Sequence, residues 1–450
     1  MTIINPNVLT EQANSTKDEK LGIIRTRLKA VDWTFPGRGK FTGIHDFHWY
    51  PARFIPQIPA YLIDSLSKKG DLVLDPFCGT GSTQIESLLL MRKSLGVDAQ
   101  PLAVMISKSK TAILPKATFE ELQTSLRLEL AISLSYLNNL DVSGTKTCNL
   151  ELKKSEMVKL DFEQDNFDWN NKYFLRAAQY LAVPEIFLKD KWYHPKTLLE
   201  LAAIKKAIAA LNEIDENVSD FKNLCLVAFS SILKKCSSQK NHYSYVADNM
   251  IPKFLQYEPA MKYFWGQIAK YNLALQQLGV ELRQVYGSIS RLKELIQTQV
   301  GDARKLTFVG NETIDCIVTS PPYQGAIDTS TAHRLSTYWL GFDLASLKNT
   351  EIGARWRRSR ADAFQEYSND MILIFREMNR VLKPGGTVAL VLGKPSARIR
   401  PMEITSLVYE QLVGQLHFTE ICPPIIRQTV PERKSVKSIQ EDIIVVLSKS

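Results

Sequence analysis

Ser320-Pro321-Pro322-Tyr323 follows a strand-like run, Ile314-Asp315-Cys316-Ile317-Val318. Two prolines fix the loop backbone and restrict the residue before them. Such a loop presents the Ser320 hydroxyl and the Pro321 carbonyl as fixed acceptors beside an aromatic ring. Acceptors of this kind suit an exocyclic amine whose lone pair is delocalised into a ring. Holding its hydrogens helps localise the pair as a new bond forms. Taken alone, a Pro-Pro-Tyr loop is also an ordinary rigid turn.

A second segment, Asp75-Pro76-Phe77-Cys78-Gly79-Thr80-Gly81, lies between a short apolar strand and a helix. Its glycines permit a tight turn and close approach of a ligand. It does not match Gly-x-Gly-x-x-Gly and lacks the Lys-Ser/Thr of a phosphate loop, which argues against a nucleoside triphosphate. Asp98 ends the next strand, about twenty residues on, where a carboxylate can accept from ribose hydroxyls. Asp302 ends a later strand and is placed to accept from an adenine amino group. Three carboxylates at three strand ends suit an adenosine-containing cofactor without phosphate, although each Asp alone reads equally as a loop or cap residue.

The elements that must position these residues alternate. A helix is expected over 55–66, a strand over 71–75, a helix over 83–91, a strand over 94–98 and a helix over 102–110. That alternation predicts an α/β fold, a parallel sheet with helices on both faces. The pattern breaks at residue 116. Thr118 with Glu121 reads as a capping box, and Phe119, Leu122, Leu126, Leu130 and Leu134 recur at helical spacing. Further helices are expected around Leu201–Leu211, Phe221–Leu233 and Ala260–Leu282. Strands return at 297–302 and 315–318. A helix at 367–382 stops at Lys383-Pro384-Gly385-Gly386, read as a turn. A strand at 387–392, a helix at 402–412 and a strand at 442–447 complete the series. The expected division is an N-terminal arm over 1–40, a first half of the α/β domain over 41–115, a mainly helical insertion over 116–295 and a second half over 296–450.

The 450-residue chain is 45% hydrophobic and 23% charged, as a globular protein is, with a net charge of +9 that leans mildly towards polyanions. No apolar run is long enough to span a bilayer, and residues 1–20 lack a signal-peptide core, so a cytoplasmic protein without a membrane partner is expected. The six cysteines form no Cys-x-x-Cys pair, and no metal site is expected. None follows a proline, which argues against the Pro-Cys nucleophile needed for methylation at cytosine C5.

Together the two motifs resemble the amino-group DNA methyltransferases. Asp75-Pro76-Phe77-Cys78-Gly79-Thr80-Gly81 is similar to their S-adenosylmethionine-binding motif, and Ser320-Pro321-Pro322-Tyr323 to their catalytic motif in its cytosine-N4 form. Tyr50-Pro51-Ala52-Arg53-Phe54 resembles the segment that closes over the methionine end of the cofactor. The likeness spans roughly 41–114 and 296–450 and implies a Rossmann-like methyltransferase sheet. It implies that Tyr50, Pro51, Phe54, Asp75, Pro76, Phe77, Gly79, Gly81, Asp98 and Asp302 hold S-adenosylmethionine. It also implies that Ser320, Pro321, Pro322 and Tyr323 hold a base flipped out of double-stranded DNA, with Tyr323 stacked on it.

The basic cluster Arg355, Arg357, Arg358 and Arg360 is expected on flanking phosphates, with Arg398 and Arg400 as additions; a solvated loop is the plain alternative. Lys189–Lys196 and Lys234–Tyr245 interleave lysine, histidine and aromatics and are candidate base readers. His45, His48 and His333 lie near the motifs, where single histidines more often pack than catalyse. The expected activity is methylation of cytosine N4 in a restriction-modification or host-defence setting, with a cognate restriction endonuclease as a possible partner. Adenine-N6 methylation, RNA or tRNA methylation, and a catalytically idle DNA-binding protein are the alternatives.

Overall fold

The computed structural model describes residues 17–35, 41–51, 53–138, 167–190, 192–239, 252, 254–325, 327–357, 359–393, 404–428 and 441–450. Ala52, Arg358, Lys191, Arg398, Arg400 and the stretch 240–245 lie outside them, as does most of the polar stretch after Asn138.

Among the described residues seven strands form one sheet: β1 (Leu72–Asp75), β2 (Lys93–Asp98), β3 (Ile296–Val300), β4 (Ile314–Thr319), β5 (Leu382–Gly393), β6 (Thr419–Gln428) and β7 (Glu441–Ser448). Their spatial order is β3-β2-β1-β4-β5-β7-β6. The strands from β3 to β5 in that order run parallel, and β7 pairs antiparallel with both β5 and β6. This is the Rossmann-like methyltransferase sheet anticipated from the sequence. The order turns back between β1 and β4, so a crevice opens above their carboxyl ends.

Strand periodicity explains why both faces are covered. Leu74, Ile317, Val388, Leu390, Val445 and Leu447 enter one core, shared with the helix Ala363–Val381. Their neighbours Val73, Cys316, Val318, Ala389, Val391, Ile444 and Val446 enter the other. The helix presents Tyr367, Met371, Ile374, Phe375 and Met378 at spacings of three and four, a stripe that fits one buried face.

Among the described residues ten α-helices precede β3: α1 (Lys17–Lys29), α2 (Gln57–Leu66), α3 (Ser82–Leu89), α4 (Pro101–Ser109), α5 (Lys116–Asn138), α6 (Lys172–Tyr180), α7 (Glu185–Asp190), α8 (Pro195–Ala210), α9 (Glu216–Cys236) and α10 (Ala260–Tyr286), with a short turn of helix at Leu292–Leu295. Ile85 and Leu88 of α3 and Leu102 and Ile106 of α4 share a core with Leu126, Ile204, Phe221, Phe229, Phe264 and Tyr271. The helical segment thus packs on α3 and α4, and α9 lies directly against α4.

Several expectations are corrected. The first thirty residues or so, with few periodic apolar positions, read as a loose arm, but from residue 17 on α1 is helical, Leu28 is buried, and Arg25 Nε donates to the Ile421 carbonyl of β6 at 2.8 Å. Thr118 and Glu121 do not cap α5, which begins two residues before Thr118, at Lys116, after Pro115. Lys383–Gly386 is not a separate turn but a bulge inside β5, between the Ile314↔Leu382 and Cys316↔Thr387 pairs. The helix near 404 passes into a π-helical stretch, Tyr409–Gln415. Strand β6 was not anticipated, because Pro423 and Pro424 argue against a strand; it lies at the sheet edge with register shifts on either side of Cys422, where proline is tolerated.

Candidate active site

Four strand ends, those of β3, β2, β1 and β4, meet at the crevice. One open cleft, about 170 Å³ in volume, is lined from the glycine-motif side by Asp75, Pro76, Phe77, Gly79 and Asp98, and from the other side by Ser320, Pro321, Pro322 and Tyr323. Tyr50, Pro51, Arg53, Phe54 and Asp302 also line it. The two motifs, distant in sequence, therefore share one cleft.

The glycine turn has left-handed backbone at Gly79 (φ +49°) and Gly81 (φ +78°), the region that favours glycine. Gly81 N donates to the Cys78 carbonyl at 2.8 Å, closing the turn. A Cβ on Gly81 would lie 2.3 Å from Ser107 Oγ, so the residue serves helix packing rather than the cavity. At Gly79 a Cβ would point towards the Tyr50 ring at 4.0 Å, so Tyr50 stands over the turn.

The three carboxylates behave differently. Asp98 accepts from Gly79 N at 2.9 Å and from Gln100 N at 2.8 Å, and burial pushes its carboxyl up to about 6 despite those bonds. Asp75 is 2% exposed. Its oxygens accept from Thr319 Oγ1 and Thr83 Oγ1, both at 2.6 Å, and from Phe77 N at 3.1 Å. Burial raises it too, to about 6, against the pull of those three bonds. Its bonds therefore tie the glycine turn to α3 and to the end of β4. Asp302 is gripped by Arg304, with Nη2 to Oδ2 at 2.7 Å, and Arg304 reaches on to Asp370 at 2.8 Å. Burial pushes the Asp302 carboxyl up, but the guanidinium outweighs it and holds the group below the usual range.

The proline loop is tied on both sides. Ser320 Oγ donates to the Val391 carbonyl at 3.0 Å and lies 2.9 Å from the Tyr323 hydroxyl. A serine has one hydroxyl proton, so Tyr323 donates to Ser320, and a lone pair on Ser320 is left for another donor. Tyr367 Oη donates to the Pro322 carbonyl at 3.0 Å. The Tyr323 ring occupies the space a Cβ on Gly393 would need, at 2.3 Å from Tyr323 Cε2. Burial pushes the Tyr323 phenol up. Behind the loop a smaller cavity of about 20 Å³ is lined by Tyr323, Phe364, Tyr367, Leu392 and Leu407.

Sequence reasoning missed the wall behind Tyr50. His333 stacks on the Tyr50 ring, centroids 4.8 Å apart and planes at 23°, and lies 5.5–5.6 Å from the Trp49 and His48 rings. His48 Nε2 meets Ser230 Oγ at 2.9 Å, and Ser230 donates to Ser336 Oγ at 2.7 Å. Burial lowers both histidines, His48 to about 4. His48 packs and hydrogen-bonds, whereas His333 packs against the Tyr50, Trp49 and His48 rings with its Nε2 buried and without a hydrogen-bond partner among the described residues. His45 Nε2 meets Glu86 at 2.9 Å. Glu351, also missed, lines the cavity and accepts from Ser330 Oγ at 2.6 Å and from Thr329 N; burial raises its carboxyl. No spacing rule links it to either motif.

The arginine cluster lies just beyond the cavity wall formed by Thr350, Glu351 and Ile352. Arg357 and Arg360 bracket the Trp356 ring at 4.9 and 4.7 Å from its centroid, and both approach Glu366, at 3.6 and 3.7 Å. Arg355 is exposed at the start of the same turn. Among the described residues no group of three or more His, Cys, Asp or Glu could hold a metal ion, and no helix is long and apolar enough to cross a membrane.

Comparison with known proteins adds to this geometry. The DNA methylase family profile matches residues 7–109. The Type II methyltransferase M.MjaII of Methanocaldococcus jannaschii is 24% identical over 401 residues, 78% of this chain and 72% of that protein. The Type II methyltransferase M.MvaI of Kocuria varians is 28% identical over 305 residues, 66% of this chain and 57% of that protein. Among solved structures, an rRNA methyltransferase of Streptomyces viridochromogenes aligns with a TM-score of 0.31 and 9% identity, over 96% of this chain and 94% of its own.

Proposed function

Because the chain belongs to the amino-group DNA methyltransferases and takes S-adenosylmethionine as its cofactor, we propose that it methylates the N4 amine of a cytosine flipped out of double-stranded DNA. The observation that carries this reading is the shared cavity: the Gly79 turn lines one side and the Ser320–Tyr323 loop the other.

The cleft fits the cofactor. It is large, it carries Asp98, Asp302 and Glu351 on its walls, and its glycine turn lacks the lysine a phosphate would call for. Phe77, Gly79, Asp98 and Asp302 would hold it, with Tyr50, Pro51 and Phe54 beside the turn, Gly81 shaping the turn against α4 and Asp75 fixing it from behind. When bound, S-adenosylmethionine supplies a methyl group already activated by its sulfonium. Ser320 Oγ, its own proton directed at Val391, accepts from one amine hydrogen of the target. The Pro321 carbonyl accepts from the other, since the Pro322 carbonyl is engaged by Tyr367. Tyr323 holds Ser320 in place and lends its ring to the base. The prolines keep both acceptors fixed, which is where the rate enhancement resides.

Ser320 rather than an acidic or amide residue favours cytosine over adenine. Residues 116–295 are assigned to target recognition, and 41–115 with 296–450 to the catalytic domain. The Type II names of the relatives support a restriction-modification role with a cognate endonuclease, and the substrate suits a cytoplasmic location. Nucleoside mass spectrometry of DNA from an expressing host tests the reading. N4-methylcytosine that disappears with Ser320→Ala is the expected result; N6-methyladenine alone, or methylated RNA with unmodified DNA, overturns it.

A further inference from the structure

Two stretches that the sequence offered as separate lysine–aromatic runs converge in space. Ser238 N, just past α9, donates to the Trp192 carbonyl before α8 at 2.9 Å. Gln256 N donates to Ser238 Oγ at 3.1 Å, and Thr197 and Glu258 exchange two hydrogen bonds of 2.9 Å. The start of α8, the end of α9 and the start of α10 are thereby stitched into one face.

Lysines stand on aromatic rings across it. Lys196 Nζ is 4.6 Å from the Tyr257 centroid, Lys235 Nζ is 3.6 Å from Tyr263, and Lys234 Nζ is 5.4 Å from Trp49. Three such pairs on one face is dense, against about one per 70–80 residues in general. Lys196 and Lys235 are exposed, as is the Trp49 ring. The nearby carboxylates Glu200 and Glu258 accept from the hydroxyls of Tyr257 and Tyr263 and keep their charge, so the three ammonium groups exceed these two carboxylates by one.

This face is fixed in register with the cleft. Ser230 and Lys234 lie one turn apart on the same side of α9. Ser230 binds His48 and Ser336, while Lys234 covers Trp49, whose neighbour Tyr50 lines the cavity. We propose that Lys196, Lys234 and Lys235, with Trp49, Tyr257 and Tyr263, grip the phosphate backbone of the duplex beside the flipped base. The proposal rests on the DNA-methylation reading and assigns that partner a second contact surface. Lysines backed by rings present charge with little conformational freedom to lose, which suits a sequence-independent grip.

The test measures affinity for a random-sequence 30-base-pair duplex against salt, using the full chain and Lys196→Ala/Lys235→Ala. The slope of log K against log salt is expected to fall by about 1.8, that is about 0.9 per lost phosphate contact, with S-adenosylmethionine binding unchanged. An unchanged slope overturns the proposal. Should the double variant lose cofactor binding, Lys196→Gln and Lys235→Gln singly decide: a fall of about 0.9 each supports the grip, and none refutes it. If the wild type binds duplex DNA with this slope but methylates none, the methylation reading fails while the surface stands. If it methylates DNA and the slope does not move, the surface alone fails.

Discussion

Thr319 Oγ1 donates to Asp75 Oδ1 at 2.6 Å, joining residues 244 positions apart. The bond fastens the glycine turn to the residue immediately before Ser320. Thr319→Val keeps the shape and removes the donor. It should destabilise the fold by about 1.5–3 kcal/mol, the range for a hydrogen bond to a charged group. Because small displacements of acceptors are costly, kcat should fall by about 10–100-fold with cofactor affinity near wild type. Denaturant unfolding and methyl-transfer kinetics check this, and Thr319→Ser should recover most of the rate.

Gly393 makes room for the Tyr323 ring. In Gly393→Ala the new Cβ would stand 2.3 Å from Tyr323 Cε2, so the ring must shift and its hydroxyl must leave Ser320. The expected result is a loss of methyl transfer approaching that of Tyr323→Ala, while cofactor affinity measured by calorimetry is retained. A fully active Gly393→Ala enzyme would remove Tyr323 from the positioning of Ser320.

The arginine cluster should divide into a contact residue and a brace. Arg357 is only 18% exposed and donates to the Asn349 carbonyl at 3.0 Å, whereas Arg360 is 47% exposed. Arg360→Ala should lower the salt dependence of duplex binding by about 0.9. Arg357→Ala should leave that slope intact and lower the melting temperature instead. The reverse pattern would assign the phosphate contact to the inner arginine.

Lys110 is 1% exposed, and its amine has no hydrogen-bond partner among the described residues. Burial pushes it down to about 7, with Arg53 adding to the effect. Above pH 7 the unfolded chain keeps a proton on Lys110 that the folded chain has released, so stability rises with pH from about 7 to the ordinary lysine range. Lys110→Met should therefore be more stable than wild type at pH 7, by an amount that shrinks towards pH 10. Urea midpoints at both pH values measure it. A gap that does not narrow contradicts a buried, deprotonated amine.

The sequence by itself determined the chemistry on offer and most of the frame. Asp75–Gly81 and Ser320–Tyr323 are contiguous, and the strands and helices beside them carry their own periodicity, so both were legible locally. Only the tertiary structure decided that Asp75 ties the loops together, that Asp302 is clasped by Arg304, and that His333 backs Tyr50. It also decided that a run containing Pro423 and Pro424 is a strand, because only a place at the sheet edge spares it the missing donors. Apart from the Asp302–Arg304 pair, two positions apart and decided by its own turn, the physical reason is common. A residue's type fixes what it can donate, accept or bury, but its partners come from strand order and register, which juxtapose chain segments hundreds of residues apart.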